Sequence, residues 1–278
     1  MRLLVVGGSG FLGGEVISQA RRAGHRVSGT HFSARPGSFS PRSPDVAWHQ
    51  LDVTHRERVL ALVRELAPDA VINTAYRQAD WATTADGAMH VAAASSVVGS
   101  RLVHVSSDAI FSGAADRYDE AAAPDPVHAY GAAKAAAELA VRGLDPSAVV
   151  ARTSLIVGGG ASPTERLVHE LAAGTRAGTL FTDDVRCAVH VADLAAALLE
   201  LAADPRAHGI RHLAGEDPVS RYDLGVLIAR RDGLDPTALP GGSRRAAGVP
   251  GPVDVRLDST RTQAGLSTRL RGARTFLA

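Results

Sequence analysis

Short unbroken apolar runs alternate with longer stretches of helical period along the first part of the chain. Residues 3–6 are continuous Leu and Val, as expected of a strand buried on both faces. They run into Gly7-Gly8-Ser9-Gly10-Phe11-Leu12-Gly13-Gly14, and a helix is predicted over residues 11–23, closed by Gly24 beyond its C-terminus. Further strands are predicted at 26–30, 46–51, 70–73, 101–105 and 148–152. Helices are predicted between them at 54–66, opened by Thr54-x-x-Glu57 as a capping box, at 86–98, and from Tyr130 onward through an alanine-rich stretch. Strands alternating with helices predict an α/β fold built on a doubly wound parallel sheet, with its ligand crevice at the carboxyl ends of the strands.

Beyond residue 155 the pattern loosens. Helices are predicted near 164–173, 191–202 and 221–230, joined by glycine-rich segments. Residues 236–252 have little apolar periodicity and are rich in Gly, Pro and Arg. Residues 111–126 are acidic and rich in turn formers, and are expected to lie over the site. The alanine-rich stretches 92–94 and 132–137 could pack on the sheet or across a homodimer, and periodicity does not choose between these.

Composition narrows the function classes. The net charge is +1, so no broad basic field points to nucleic acid or an anionic membrane surface. The hydrophobic fraction is 45%, enough for a sizeable core, yet no apolar run reaches the ~20 residues of a membrane span. Cys187 is the only cysteine, which excludes an internal disulfide and fits a reducing compartment. The 11 histidines are scattered without ligand spacing, so no protein metal site is expected. The apolar run at the N-terminus is too short for a signal-peptide core, and a cytoplasmic location is expected.

Strand, glycine turn and helix together are the context in which a glycine motif gains meaning. Glycines let backbone approach a pyrophosphate, and the helix N-terminus adds N–H groups and partial positive charge. Both Gly7-x-x-Gly10-x-x-Gly13 and Gly8-x-Gly10-x-x-Gly13 fit the spacing. Residues 1–155 are therefore expected to form a dinucleotide-binding Rossmann domain. Residues 156–278 are expected to form a smaller C-terminal substrate-binding region, interleaved with the last sheet elements, with 186–202 returning to the first core. An NAD site usually carries an acid after the second strand. This chain has no Asp or Glu between Glu15 and Asp45. It offers Thr30, His31, Ser33 and Arg35, hydroxyls and cations that suit a 2′-phosphate, so NADP(H) is expected over NAD(H). Gly7, Gly10, Phe11, Leu12, Gly13, Asp52, Val53, Asn73, Thr74 and Ala75 complete the expected cofactor cradle, being at the glycine turn or at strand ends.

Tyr130-Gly131-Ala132-Ala133-Lys134 carries the candidate chemistry. Lys134 is the only lysine in a chain whose other basic residues are all arginine. An ammonium on a slim stem is not interchangeable with a planar guanidinium. Tyr130 lies four residues earlier, on the same helix face. A neighbouring cation favours the phenolate, which lets a tyrosine exchange protons with a carbonyl or alcohol oxygen near neutral pH. Ser107 would stand at the carboxyl end of a central strand, able to hydrogen-bond a substrate oxygen.

Taken together these segments resemble the extended short-chain dehydrogenase/reductase family. The carrying residues are Gly7-x-x-Gly10-x-x-Gly13, Ser106-Ser107-Asp108-Ala109-Ile110-Phe111 and Tyr130-x-x-x-Lys134. The segments 68–73, Arg152-Thr153-Ser154 and Leu257-Asp258-Ser259 are similar to those of the dTDP-4-dehydrorhamnose reductase branch. The resemblance implies a reductase acting on the keto group of a nucleotide-linked 4-keto-6-deoxysugar. Tyr130 would then be the proton donor, Lys134 the group that lowers its pKa and holds the nicotinamide ribose, and Ser107 the residue orienting the carbonyl. Arg186, in a segment similar to Arg-x-x-x-His-Val-x-Asp, and Asp108 would face substrate. The family usually carries Asn where this chain appears with Thr84, which places the usual proton relay in question. A nucleotide-binding regulatory subunit and a reductase of another small ketone are the alternatives.

Overall fold

The structure is a computed structural model, and it describes residues 1–33 and 46–278. Its main sheet has seven strands: β1 (Arg2–Val6), β2 (Arg26–His31), β3 (Ala47–Gln50), β4 (Ala70–Asn73), β5 (Arg101–Ser107), β6 (Val149–Thr153) and β7 (Gly209–Leu213). Their spatial order is β7-β6-β5-β4-β1-β2-β3. The pairings β2–β3, β1–β2, β1–β4 and β4–β5 are parallel. The order therefore reverses between β1 and β4, the switch point at which such sheets open a crevice. Four principal helices connect the first six strands: α1 (Phe11–Arg22), α2 (Arg56–Leu66), α3 (Gly87–Val98) and α4 (Ala129–Leu144). Every residue of β4 and of β6 is buried, which is why these segments read as apolar runs rather than alternating ones.

The described residues divide into two compact units. The first comprises Met1–Ser107, Ala129–Arg152 and Ala195–Arg211. Its core includes Leu4, Val6, Val59, Val63, Val71, Val91, Leu102, Val141 and Val150. Each such side chain contributes about 1.5–3 kcal/mol of burial. Ala92, Ala94, Ala133 and Ala137 are buried here, and α3 packs on α4.

The second unit comprises Asp108–His128, Thr153–Leu194 and His212–Ala278. Helices α5 (Pro163–Ala172) and α7 (Arg221–Arg231) pack together over Val157, Val168, Leu180, Leu224 and Ile228. Between them in sequence lies α6 (Val191–Ala203). Two-residue strands tie the unit together: Val185–Arg186 lies between antiparallel Val219–Ser220 and parallel Asp254–Val255. Strands this short carry no period, so periodicity could not reveal them.

Three local expectations need correction. Thr54 does not cap α2: Asp52 Oδ1 accepts both its backbone N–H (2.9 Å) and its hydroxyl (2.7 Å), and His55 becomes the N-cap. The carboxylate of Asp52 accepts the N–H two residues on, an Asx-type turn that holds Thr54 ahead of the helix. The helix expected from residue 86 is preceded by a π-helical turn at Ala82–Asp86. Finally, β5 continues through Ser106 and Ser107 rather than ending at Val105.

Candidate active site

Gly7 sits at φ +79°, in the left-handed region, and a Cβ there would lie 2.8 Å from the backbone nitrogen of Ala75. A Cβ on Gly13 would collide with the carbonyl of Gly7. Gly10 caps α1 and donates its N–H to that same carbonyl at 3.0 Å. A Cβ on Gly8 would meet the tip of Ile17 first and then the carbonyl of Val5 at 3.2 Å, and one on Gly10 would meet only the carbonyl of Gly7 at 3.3 Å. The hard backbone clashes therefore fall on Gly7 and Gly13. Phe11 and Leu12 open α1, whose first turn holds no acidic residue. A backbone turn without side chains at a helix N-terminus, beside the switch point, fits the pyrophosphate of a dinucleotide.

The neighbouring candidates mostly brace this turn. Thr30 is buried, and its hydroxyl accepts the N–H of Gly7 at 3.0 Å. Thr74 donates its hydroxyl to the carbonyl of Val6 at 2.9 Å. The side-chain oxygen of Asn73 accepts the N–H of Ala75 at 3.1 Å, which turns its amide nitrogen toward Nδ1 of His104, 3.2 Å away. Asp52 is held below the usual carboxylate range by its Thr54 hydrogen bonds, and Val53 is buried against Gly87. His31 Nδ1 lies 2.8 Å from the carbonyl of Ser33, itself exposed. Arg35 lies outside the described residues. Arg77, which spacing did not single out, stacks its guanidinium 4.5 Å from the ring centroid of Phe32, next to the carboxyl end of β2.

Lys134 is 3% exposed and donates to the carbonyl of Val105 on β5 at 2.9 Å. Its ammonium lies 5.3 Å from the ring centroid of Tyr76, whose ring is 5.8 Å from that of Tyr130. The ring of Tyr76 therefore neighbours both members of the Tyr130/Lys134 pair. Burial lowers the ammonium to a pKa of about 8, and Glu138 opposes that fall. The imidazole of His104 is pushed well below its ordinary value, first by burial and then by the charge of Lys134. Ser107 stands at the carboxyl end of β5. Thr84 is fully buried and exchanges two hydrogen bonds with the backbone of Arg77, at 2.7 and 3.1 Å. It pins the segment that carries Tyr76 and Arg77.

Arg186 belongs to a buried charge cluster in the second unit. It donates to the carbonyls of Val185 (2.7 Å) and Pro252 (2.9 Å) and pairs with Asp184 (2.9 Å) and Asp108 (3.7 Å). Asp108 also accepts the hydroxyl of Ser154 at 2.6 Å. Arg244 joins Asp184 at 2.6 Å, and Arg221 lies 3.7 Å from it. Three guanidinium groups thus face two carboxylates, an excess of positive charge. Nothing in the spacing of Arg221 or Arg244 marked them beforehand.

Residues 1–277 match the model of the family described as the RmlD substrate binding domain. The chain belongs to that family. It is 32% identical over 283 residues to the dTDP-4-dehydrorhamnose reductase of Mycolicibacterium smegmatis, a match covering 96% of this chain and 81% of the relative. It is 32% identical over 256 residues to a Haloferax volcanii protein named "Probable low-salt glycan biosynthesis reductase Agl14", covering 86% of this chain and 83% of that protein. Its fold is that of a dTDP-4-dehydrorhamnose reductase from Bacillus anthracis solved in complex with NADP. The TM-score is 0.82 at 21% identity, over 99% of this chain and 96% of that one. Among the described residues no helix is long and apolar enough to cross a membrane.

Proposed function

We propose that this protein is an NADP(H)-dependent reductase of a nucleotide-linked 4-keto-6-deoxysugar, with Tyr130 as the proton donor. The observation that carries this reading is the solitary lysine. A buried ammonium is costly, yet this chain sets its only one one helical turn from a tyrosine and against the same aromatic ring. A bound nicotinamide would supply the hydride for the keto carbon, with the carbonyl electron pair left on its oxygen. Tyr130 gives that oxygen its proton, and Lys134 stabilises the phenolate left behind. Ser107 donates to the same oxygen and orients it. NADP(H) is favoured over NAD(H) because the end of β2 carries His31, Phe32 and Ser33 without an acid, and Arg77 stacks on Phe32 there. In the second unit, Arg221 and Arg244 supply the excess cationic charge that a sugar-nucleotide diphosphate needs.

The test is oxidation of NADPH by purified protein given a dTDP-linked 4-keto-6-deoxysugar. Tyr130→Phe should bind NADPH with unchanged affinity and lose about 10²–10⁴-fold in kcat. Undiminished turnover in that variant would exclude Tyr130 as the donor. NADPH binding with no turnover of any 4-keto sugar by the wild type would leave a nucleotide-binding subunit instead. Arg77→Ala should lower the preference for NADPH over NADH by about tenfold or more, the loss of one charge-assisted contact.

A further inference from the structure

Below Lys134 lies a second buried charge. Glu138 follows one helical turn later on α4, on the same face, and is as deeply buried as the lysine. Arg152, on β6, is 1% exposed and grips it through Nε, 3.1 and 3.2 Å from the two carboxylate oxygens, and through a terminal nitrogen at 2.8 Å. The hydroxyl of Ser106 donates to the same carboxylate at 2.5 Å. Four donor contacts on one buried carboxylate are more than stability asks for, since a buried ion pair is often replaceable by apolar packing without loss. They do hold the carboxylate in one place. The chain then has a use for a fixed negative charge beside α4's other buried ion.

We propose that Glu138, held in place by Arg152 and Ser106, is a positioning residue that keeps Lys134 charged at neutral pH. An ammonium as buried as this one sheds its proton readily; a fixed counter-charge nearby restores it. A neutral Lys134 could not draw the phenol of Tyr130 toward phenolate, so Arg152 acts on Tyr130 through Glu138 and Lys134 in turn. The other ionisable groups around Lys134 do not replace this counter-charge. His104 on β5 is neutral, Tyr76 and Tyr130 offer rings, and Arg101 on β5, Arg142 on α4 and His90 on α3 carry positive or no charge. Asp86, in the π-turn packed on α4, is the remaining acid among those elements, and Glu138 is the acid one helical turn from Lys134. The inference rests on the function proposed above for its catalytic meaning, but not for its measurement.

Because Lys134 is the only lysine, protein labelled at the lysine ε-carbon gives one lysine side-chain NMR signal, whose pH titration reads this amine directly in the cofactor-free chain. The wild-type signal should titrate near 8. Glu138→Gln should lower that midpoint by about one unit or more. It also strands Arg152, so a pair of gentler variants guards against failure to fold. Glu138→Gln/Arg152→Gln removes both charges and keeps an amide pair, and should lower the midpoint by less, because the Arg152 cation that repels the ammonium leaves with the carboxylate. Glu138→Asp withdraws the carboxylate by one methylene and should lower it less. A folded paired variant, or a folded Glu138→Asp, whose lysine titrates as in the wild type would overturn the proposal. In the holoenzyme, the alkaline limb of kcat should move down by the same amount. Loss of thermal stability with an unmoved limb would mark a purely structural ion pair. Wild-type protein without turnover would refute the reductase reading while leaving the NMR titration decisive for Glu138.

Discussion

Lys134 has a thermodynamic signature as well as a chemical one. Burial brings its pKa from 10.5 to about 8 in the folded chain. Between those values the unfolded chain holds a proton that the folded chain has released, so this residue's contribution to stability rises with pH there. Below about pH 8 both states are charged and the full cost of burying the ammonium applies. Above about 10.5 both are neutral and it is gone. The stability of wild type relative to Lys134→Met should therefore shift in favour of wild type by about 3 kcal/mol between pH 7 and 10.5. Cys187, raised by burial from 9.0 to about 11, acts in the opposite sense above pH 9. It is present in both proteins and cancels in the comparison. Urea unfolding at stepped pH measures the difference. A constant difference across the range would mean that Lys134 titrates as a solvated amine.

The glycine turn and α4 make a matched pair at the scale of elements. On α4, Gly143 has open space where a Cβ would go. Gly143→Ala, in the last turn of α4, should stabilise by about 0.4–1 kcal/mol, because alanine narrows the unfolded ensemble. Gly13→Ala replaces one hydrogen with a methyl that meets the backbone of Gly7, and should lower the melting temperature and abolish NADPH binding together. Calorimetry with and without NADPH separates the two. The turn was legible in the sequence because its demand is a missing side chain, which spacing displays. Tyr130 and Lys134 were legible because helical period places them on one face whatever surrounds them. What escaped was set by long-range contact. Glu138 and Arg152 meet across 14 positions, and Arg77 reaches Phe32 across 45. No local pattern encodes such meetings. The false capping box at Thr54 failed for a local reason: an aspartate two residues upstream holds Thr54 in a turn of its own, and the helix starts after it.

At the scale of the whole molecule, the near-neutral net charge conceals a division of labour between two units. The first holds the glycine turn, Tyr130 and Lys134; the second gathers Arg186, Arg221 and Arg244 around Asp184 and Asp108. Arg186 is fully engaged by the protein's own oxygens, and its part in this cluster is to hold Asp184 and Asp108 in place. Arg221 is the loosest member, 3.7 Å from Asp184 with about a third of its side chain exposed. Removing it leaves Asp184 with two arginines, so the cluster should survive Arg221→Ala. If the second unit binds the diphosphate of the sugar nucleotide, that variant should raise KM for the sugar by about tenfold to a hundredfold, the worth of a charge-assisted hydrogen bond. If the first unit binds NADPH, its Kd should not move, and kcat should fall far less than in Tyr130→Phe. Added salt should weaken sugar binding in the wild type more steeply than in the variant, since the variant has one fewer cation to screen. Equal losses for cofactor and sugar would show that Arg221 supports the fold at large rather than one ligand.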